Sequence, residues 1–311
     1  MTRLASLRSN NRCTFSIVAA DPGVGEVGCA VQSRYFAVGS VVPWARAGVG
    51  AVATQAAGVA AYGPKVLALL EEGLEPEAAL ERALADDGAR EIRQLGVVAA
   101  DGRAAAHTGA DCLPWAGHRV GDCYAVQGNI LAGEAVVTEM ERAFLESRGD
   151  SLAERLVACL EAAQAAGGDR RGQQSSAIVV ERSGAATESR EGIDRICELR
   201  VDDHPEPIVE LRRLLGIHLV WDALRRASFF HEPGKYAHGV EVLREALGRY
   251  GEDPVLLYDL ACFESLAGDT DQALAHVTRS LELDPQLASG AAADSDLEAL
   301  RQDARFQAAV S

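Results

Sequence analysis

The stretch from residue 14 to residue 55 constrains the fold of this chain more than any other. Residues 14–20 alternate in the way of a β-strand, and residues 26–33 can return beside them. The connecting Asp-Pro-Gly-Val-Gly segment supplies the proline and glycines that a tight turn requires. Residues 48–55 predict a third strand, made of small residues that allow another layer or a ligand to approach the backbone. We therefore predict an antiparallel hairpin followed by a closely packed third strand.

The remainder of the first 192 residues groups its strands and helices in blocks. We predict helices over residues 65–72, 76–85, 133–147 and 152–165, and strands over residues 94–100, 103–109, 124–129, 175–181 and near 187–189. This order differs from the β-α-β alternation of a parallel sheet, so it favours two antiparallel sheets stacked between helical layers. The predicted fold class is α+β, a four-layer αββα sandwich over residues 14–192, preceded by a disordered leader over residues 1–13.

Residues 193–207 separate the mixed part of the chain from a helical part, and we predict them to be a linker that contains a strand-like stretch over residues 197–201 followed by Pro205 and Pro207. From residue 208 to residue 311 the pattern is helical, with leucines recurring on one face. The spacing of a 34-residue tetratricopeptide (TPR) repeat is present at Leu257, Leu260, Ala261, Gly268, Ala273, Val277, Ser280 and Pro285. We predict an all-α TPR-like domain of about one and a half repeats, with a terminal helix over residues 297–310.

Charge and cysteine content indicate which partners and which cellular location to expect. The formal net charge of -16 disfavours nucleic acid and anionic membrane surfaces as partners. Residues 193–311 carry 12 Lys and Arg residues against 22 Asp and Glu residues, a net charge of -10, so we expect the helical domain to bind a neutral or basic partner. The seven scattered cysteines form no C-x-x-C pair, and the first residues lack the apolar core of a secretory signal. A soluble cytoplasmic protein is the prediction.

Residues 14–181 resemble the bacterial family DUF1028. The segments that carry the resemblance are TFSIVAADP, FAVGSVVPWARAGVGAVATQA, YGP, RQLGVV, AAHTGADCLPWAGH, AVQGN and QSSAIVVE. This family is placed in the Ntn-hydrolase (N-terminal nucleophile) superfamily, and some members carry a C-terminal extension described as peptidoglycan-binding. The segment LRVDDHPEPIVELRRLLGIH resembles that extension.

The resemblance implies an amide hydrolase whose nucleophile is the first residue of the mature chain. Thr14 stands at the start of the first strand, where that nucleophile belongs. The free α-amine of such a residue serves as the general base, since its ordinary pKa lies near 8. Backbone or side-chain N–H groups then stabilise the oxyanion of the tetrahedral intermediate.

A fainter similarity to proteasome β subunits adds further candidates. Their V-D-S-R return strand is similar to Val-Gln-Ser-Arg at residues 31–34, which implies a catalytic role for Ser33 and a substrate contact for Gln32. The same count implies that Arg46 replaces the catalytic lysine and that Gln55 lies near the oxyanion turn. Arg46 departs from the proteasome pattern, because an arginine remains charged and cannot exchange protons as a lysine can.

Three more residues are candidates for the site. Gln127 and Asn129 in the Q-G-N segment can orient substrate or the oxyanion, and His107 is a candidate substrate contact. His107 and His118, with Asp111 and Cys112 between them, match no zinc signature, so we expect no metal and no cofactor. Structural interpretations stay open for these candidates. They are a strand residue at Thr14, a solvated loop cation at Arg46, turn caps at Ser33 and Gln55, a turn over residues 127–129, and a hydrogen-bonded hairpin residue at His107.

Two functions from different classes follow. One is an amidohydrolase acting on a small-molecule or peptide amide, and the other is a catalytically silent scaffold whose helical domain binds a protein or a cell-wall fragment. Thirteen residues precede Thr14, so the first function requires cleavage at Cys13–Thr14 or a different translation start. A variant hypothesis makes Cys13 the nucleophile. The oligomeric state stays open, with a homo-oligomer among the alternatives.

Overall fold

A computed structural model describes residues 14–188 and 192–311 of the chain. The predicted leader and Cys13 therefore lie outside the described residues. The structure divides into two compact units between Leu215 and Gly216, within a long helix. The first unit is mixed α and β with two antiparallel sheets, and the second is helical, as the sequence predicts.

The strands of the first unit form one sheet of six and one sheet of four. The six-stranded sheet has the order β10-β9-β2-β1-β8-β7, and the four-stranded sheet has the order β3-β4-β5-β6. Their bounds are β1 Thr14–Asp21, β2 Glu26–Ser33, β3 Pro43–Arg46, β4 Gly50–Ala56, β5 Arg93–Ala99, β6 Ala104–Thr108, β7 Gly117–Gly121, β8 Tyr124–Asn129, β9 Ser175–Arg182 and β10 Arg195–Val201. Every neighbouring pair is antiparallel.

The helices of the first unit are α1 Tyr62–Glu71, α2 Pro76–Leu84, α3 Ala135–Glu146, α4 Leu152–Ala165, the short α5 Ala185–Glu188 and the start of α6 Pro207–Ser228. Helices α1 to α4 pack on the outer faces of the two sheets. Val66 of α1 and Leu80 of α2 are buried with Leu95 and Val97 of the four-stranded sheet. Helix α4 packs on β1 and β2 of the six-stranded sheet, where Leu156 lies against Gly28.

A second apolar core lies between the facing sheets. Val18 and Cys29 from the six-stranded sheet are buried with Ala51, Ala53 and Val98 from the four-stranded sheet. Because side chains alternate between the two faces of a strand, every second residue of β1 enters this space, namely Thr14, Ser16, Val18 and Ala20. The polar end of that series lies at Thr14 and the apolar end at Ala20.

The structure corrects several predicted boundaries. The strand-like stretch predicted over residues 197–201 within the linker is part of β10, which lies at the edge of the six-stranded sheet with Cys197 and Val201 buried. The predicted strand near residues 187–189 is wrong, since Ala185–Glu188 is helical and Ser189 lies outside the described residues. Strands β3 and β7 were not predicted, and both are short.

The second unit contains the rest of α6, then α7 Tyr236–Tyr250, α8 Pro254–Ala267, α9 Thr270–Leu283, the short α10 Ala288–Ala291 and α11 Ala304–Ala309. The predicted terminal helix over residues 297–310 is interrupted, because a 3-10 helix spans Ser295–Leu300 and Asp303 caps α11. Within the described ranges, no helix is both long enough and apolar enough to cross a membrane.

Candidate functional site

A cluster of buried hydroxyl and carboxamide groups fills the space between the sheets at the Thr14 end of β1. We call it the interior amide cluster, and its members are Thr14, Ser16, Ser33, Gln55, Gln94, Gln127 and Asn129. All seven residues are essentially inaccessible to solvent. Buried polar groups are costly unless they are hydrogen-bonded, so a cluster of this size at one end of an otherwise apolar core needs an explanation.

The sheet register assembles this cluster. Thr14 lies opposite Ser33 of β2 on one side and opposite Asn129 of β8 on the other. Directly opposed residues share a face of the sheet, so the three side chains form one row. On the facing sheet, Gln55 of β4 lies opposite Gln94 of β5. The two rows meet across the space between the sheets.

Gln94 is the centre of the hydrogen bonding. Its Oε1 accepts from Gln55 Nε2 at 2.8 Å and from Asn129 Nδ2 at 2.9 Å. Its Nε2 donates to the carbonyl of Gly128 at 2.8 Å and to Thr108 Oγ1 at 3.0 Å. Because the oxygen and nitrogen of Gln94 have distinct partners, the donor ends of Gln55 and Asn129 are both held in place.

The bonds around Thr14 follow from that arrangement. The Thr14 hydroxyl donates to Ser33 Oγ at 3.1 Å, and the Thr14 carbonyl accepts from Gln55 Nε2 at 3.3 Å. Ser16 Oγ donates to Gln55 Oε1 at 2.6 Å and lies 2.6 Å from Gln127 Nε2, which donates to it. Gln127 in turn lies against Gly96, where a β-carbon would come within 2.0 Å of Gln127 Oε1.

Two strained residues border the cluster. Ala56, directly after Gln55, has a φ of 65°, and Ile130, directly after Asn129, has a φ of 52°. A β-branched residue in the left-handed region is a genuine outlier. Such strain is maintained only where the surrounding structure enforces it, and it occurs disproportionately at functional sites.

His118 lies at the exposed margin of the cluster. Thr108 Oγ1 accepts from Gln94 Nε2 and is hydrogen-bonded to His118 Nδ1, 2.8 Å away. Partial burial of the imidazole ring disfavours its charged form, and the nearby His107 adds to this effect, so the pKa of His118 lies below its ordinary value.

The structure brings five of the eight predicted site residues together, namely Thr14, Ser33, Gln55, Gln127 and Asn129. It does not bring Arg46 to them. The Arg46 guanidinium is 2.6 Å from Glu71 and its side chain is 42% exposed. The backbone N–H of the adjacent Ala47 donates to the Glu181 side chain, and Glu181 lies in the sheet at the same level as Ala20 of β1. Ala20 is six residues from Thr14, a distance of about 20 Å along a strand that rises about 3.3 Å per residue. The antiparallel return of β3 along β4 carries Arg46 to the opposite end of the sheet from Gln55.

His107 and Gln32 also lie apart from the cluster, because each occupies the other face of its strand. His107 is opposite Leu95, whose side chain packs under α1 and α2, and its Nε2 is 3.0 Å from the carbonyl of Arg90. Gln32 follows the alternation that places Ser33 inward, so it faces away from Thr14. It is fully buried, and neither atom of its amide has a hydrogen-bond partner within the described residues.

Gln94 and Ser16 were missed from the sequence. A signal for each existed in the period-2 alternation. Ser16 is two residues from Thr14 and therefore shares its face, and Gln94 is the polar first residue of the strand predicted over residues 94–100. What the alternation does not show is which faces of which strands meet.

Competing thiol nucleophiles are poorly suited to reaction. Burial raises the pKa of Cys29 and Cys159 far above the ordinary range. Burial also raises the pKa of Cys112 to about 11. Since the thiolate is the reactive form, these cysteines are unreactive near neutral pH.

Comparison with known proteins gives a family. The model of a family of unknown function, DUF1028, matches residues 14–211, well over half of the chain. The chain belongs to the DUF1028 family. A solved structure of a DUF1028 protein, SPO2555 from Silicibacter pomeroyi, is similar to this one with a TM-score of 0.57 and 32% sequence identity. The alignment covers 65% of this chain and 88% of that protein. No curated protein matches this DUF1028 chain.

Proposed function

We propose that this DUF1028 protein is an Ntn-type amidohydrolase in which Thr14, once it is the first residue of the chain, attacks the carbonyl of an amide. The observation that carries the proposal is the position of Thr14. It begins a central strand, faces inward between two antiparallel sheets, and lies between Ser33 and Asn129 beside a fixed set of carboxamide donors. The Ntn-hydrolase assignment of this sandwich rests on the resemblance of the sequence and is part of the proposal.

The groups present suit acyl transfer once an amine is free. A hydroxyl is a weak nucleophile and needs an adjacent base. The cluster offers hydroxyl and carboxamide groups, which can position a substrate and stabilise an oxyanion. These groups do not accept a proton at neutral pH, so they cannot serve as the general base. In the unprocessed chain the nitrogen of Thr14 belongs to a peptide bond with Cys13, so it has no basicity. Cleavage before Thr14 converts that nitrogen into an α-amine with an ordinary pKa near 8.

The reaction then has two steps. Thr14 Oγ1 attacks the amide carbon, the α-amine takes the hydroxyl proton, and the proton passes to the departing amine to leave an ester on Thr14. Water hydrolyses that ester with the α-amine again acting as base. Gln55 Nε2 and Asn129 Nδ2 both donate to Gln94 Oε1 near Thr14, and we assign these two amides to stabilise the oxyanion, which requires an N–H of each to turn from its present acceptor.

The test compares one protein before and after processing. A site-specific protease sequence is inserted before Thr14, the full chain is purified, and half of it is cleaved. Amine release from a panel of N-acyl amino acids and dipeptides is measured for both forms, with intact-mass analysis for an acyl-enzyme. We expect activity only after cleavage, loss of activity in Thr14→Ala, and full activity in the control Thr138→Ala, whose hydroxyl donates to the carbonyl of Glu134 on the same helix turn.

A silent scaffold remains the second candidate, because the Thr14 hydroxyl is fully buried and its nitrogen is bonded to Cys13 in the sequence given. Equal turnover by the uncleaved form, by the cleaved form and by Thr14→Ala would refute the nucleophile. No turnover in any form, with unchanged folding, would favour the scaffold.

We further propose that the helical unit is TPR-like and binds a neutral or basic protein partner or a cell-wall fragment. Helices α8 and α9 pack as a pair joined at Gly268, which has a φ of 90°, and Pro285 follows the pair. The free thiols among the described cysteines fit a cytoplasmic location. Pull-down at low and high salt tests the partner proposal, and a partner retained equally at both would contradict an electrostatic interface.

A further inference from the structure

We propose that the DUF1028 protein prefers amides that carry a carboxylate close to the scissile bond, and that Arg34 and Arg170 bind this carboxylate. The inference rests on the proposed function of Thr14 and names the substrate class for that site. We call Arg34, Arg170 and Arg171 the arginine rim.

The sheet register places the arginine rim beside Thr14. Ser33 is the partner of Thr14 in β2, and Arg34 is the next residue of the chain. Asn129 is the partner of Thr14 in β8, and the next residue, Ile130, accepts a hydrogen bond at its carbonyl from the backbone of Arg170 at 3.2 Å. Arginines therefore lie just beyond both strands that flank the proposed nucleophile.

A buried carboxylate fixes the two loops that carry these arginines. Asp169 has a fully buried side chain, and it accepts from the backbone N–H of Arg34 at 3.0 Å and of Arg171 at 2.8 Å. The Arg171 guanidinium pairs with Asp169 at 3.2 Å and compensates its charge. Gly172, with a φ of 100°, keeps the loop close, since a β-carbon there would lie 3.0 Å from Arg34 Nη1.

The other two guanidinium groups are held by carbonyl oxygens. Arg34 Nη1 donates to the carbonyl of Arg171 at 3.0 Å, and Arg170 Nη1 lies 3.4 Å from the carbonyl of Pro114, to which it donates. Both side chains are exposed. In the part of the chain that the structure describes, neither Arg34 nor Arg170 forms an ion pair, although most other arginines do. Their charges are therefore oriented and uncompensated.

Uncompensated guanidinium groups select carboxylates. Arginine is always charged and offers paired N–H donors that match the two oxygens of a carboxylate. In a chain with a net charge of -16, two such groups at one edge would attract an anion to an otherwise repulsive surface. The expected substrates are N-acyl amino acids or peptides with a free carboxylate.

The test is a binding measurement that does not depend on turnover. The chain cleaved before residue 14 is prepared with Thr14→Ala, and ligand-detected NMR titration gives its affinity for N-acetylglycine, for succinamate and for neutral N-acetylglycinamide. The two anions place the carboxylate on the amine side and on the acyl side of the amide. We expect one anion to bind at least about tenfold more tightly than the neutral amide, as one charge-assisted contact provides. We also expect that preference to fall at high salt.

Variants separate the arginine rim from general charge effects. Arg34→Gln and Arg170→Gln should each remove most of the preference, whereas Arg82→Gln, an exposed arginine on α2, should leave it unchanged. Equal affinity for all three ligands, or binding of none, would overturn the inference. Thr14-dependent hydrolysis of neutral and anionic amides at equal rates would also overturn it while leaving the nucleophile intact. A carboxylate preference without turnover would support it and count against catalysis.

Discussion

Replacing Gln94 by Met should destabilise the first unit more than any single surface change. The two side chains have similar length and shape, so the substitution removes hydrogen bonds without opening a large cavity. Gln55 Nε2 and Asn129 Nδ2 lose the acceptor that lies 2.8 and 2.9 Å from them, and the carbonyl of Gly128 loses its donor at 2.8 Å. These groups have no access to water as a replacement, since the residues that carry the amides are buried.

The magnitude follows from the number of groups left unsatisfied. Each buried polar group without a partner costs about 1–3 kcal/mol. Three such groups would cost roughly 3–9 kcal/mol in the free energy of unfolding. Gln55 keeps longer bonds to the carbonyls of Thr14 and Gln127, so we expect a loss in the lower part of that range, about 3–6 kcal/mol. That loss is a large fraction of the total stability of a typical domain.

Urea denaturation followed by circular dichroism measures this loss, provided that the slope of the unfolding free energy with urea stays constant. The matched control is Gln174→Met, because Gln174 Nε2 makes an exposed bond to Asp203 at 3.1 Å. We expect the control to change stability by less than about 0.5 kcal/mol. A loss below about 1 kcal/mol in Gln94→Met, with an unchanged slope, would refute the view that Gln94 organises the cluster.

Three further predictions test other parts of the chain. Gly96→Ala should cost about 1–3 kcal/mol, because its β-carbon would overlap the Gln127 amide, and Gln127→Ala in the same chain should recover part of the loss in a denaturation assay. Burial and the nearby Asp294 and Asp296 raise the pKa of Asp259 to about 6, above its unfolded value near 3.9, so stability should fall as the pH rises from about 4 to about 6. Asp259→Asn should therefore match the parent at pH 4 and exceed it at pH 7 by at most about 3 kcal/mol, and an unchanged melting temperature at pH 7 would contradict this. Gly268→Ala should lower the melting temperature, since its φ is 90°, whereas Gly216→Ala, inside α6 with open space around it, should raise it by about 1 kcal/mol of stability.

Much of the fold could be predicted because it depends on local pattern. The hairpin of β1 and β2 follows from alternation on either side of a Pro-Gly turn, and the observed strands agree with the predicted ones within a residue. Helices α3 and α4 were predicted within two residues. The strand-like character of residues 197–201 was predicted, but their place in the sheet was not, because only two of the seven residues of β10 are buried and its membership depends on pairing with β9.

The site was predictable in part for the same reason. Thr14, Ser33 and Asn129 end or begin predicted strands, so the sequence alone indicates that they lie at strand termini. Whether those termini meet depends on register between strands more than a hundred residues apart, as for Thr14 and Asn129. Counting along the chain placed Arg46 near Thr14, but the count does not include the reversal of β3 against β4.

The sequence by itself determined which residues alternate inward along each strand, where turns break the chain, and where the mixed part of the chain gives way to helices. These properties arise from φ preferences and side-chain periodicity, which act over a few residues. Only the tertiary structure decided that Gln94 joins Gln55 and Asn129, that His107 and Gln32 face away, and that Arg34 and Arg170 flank Thr14. The physical reason is that alternation along a strand shows which residues share a face, but it does not show which face a second sheet will cover. That choice depends on how one sheet packs on the other.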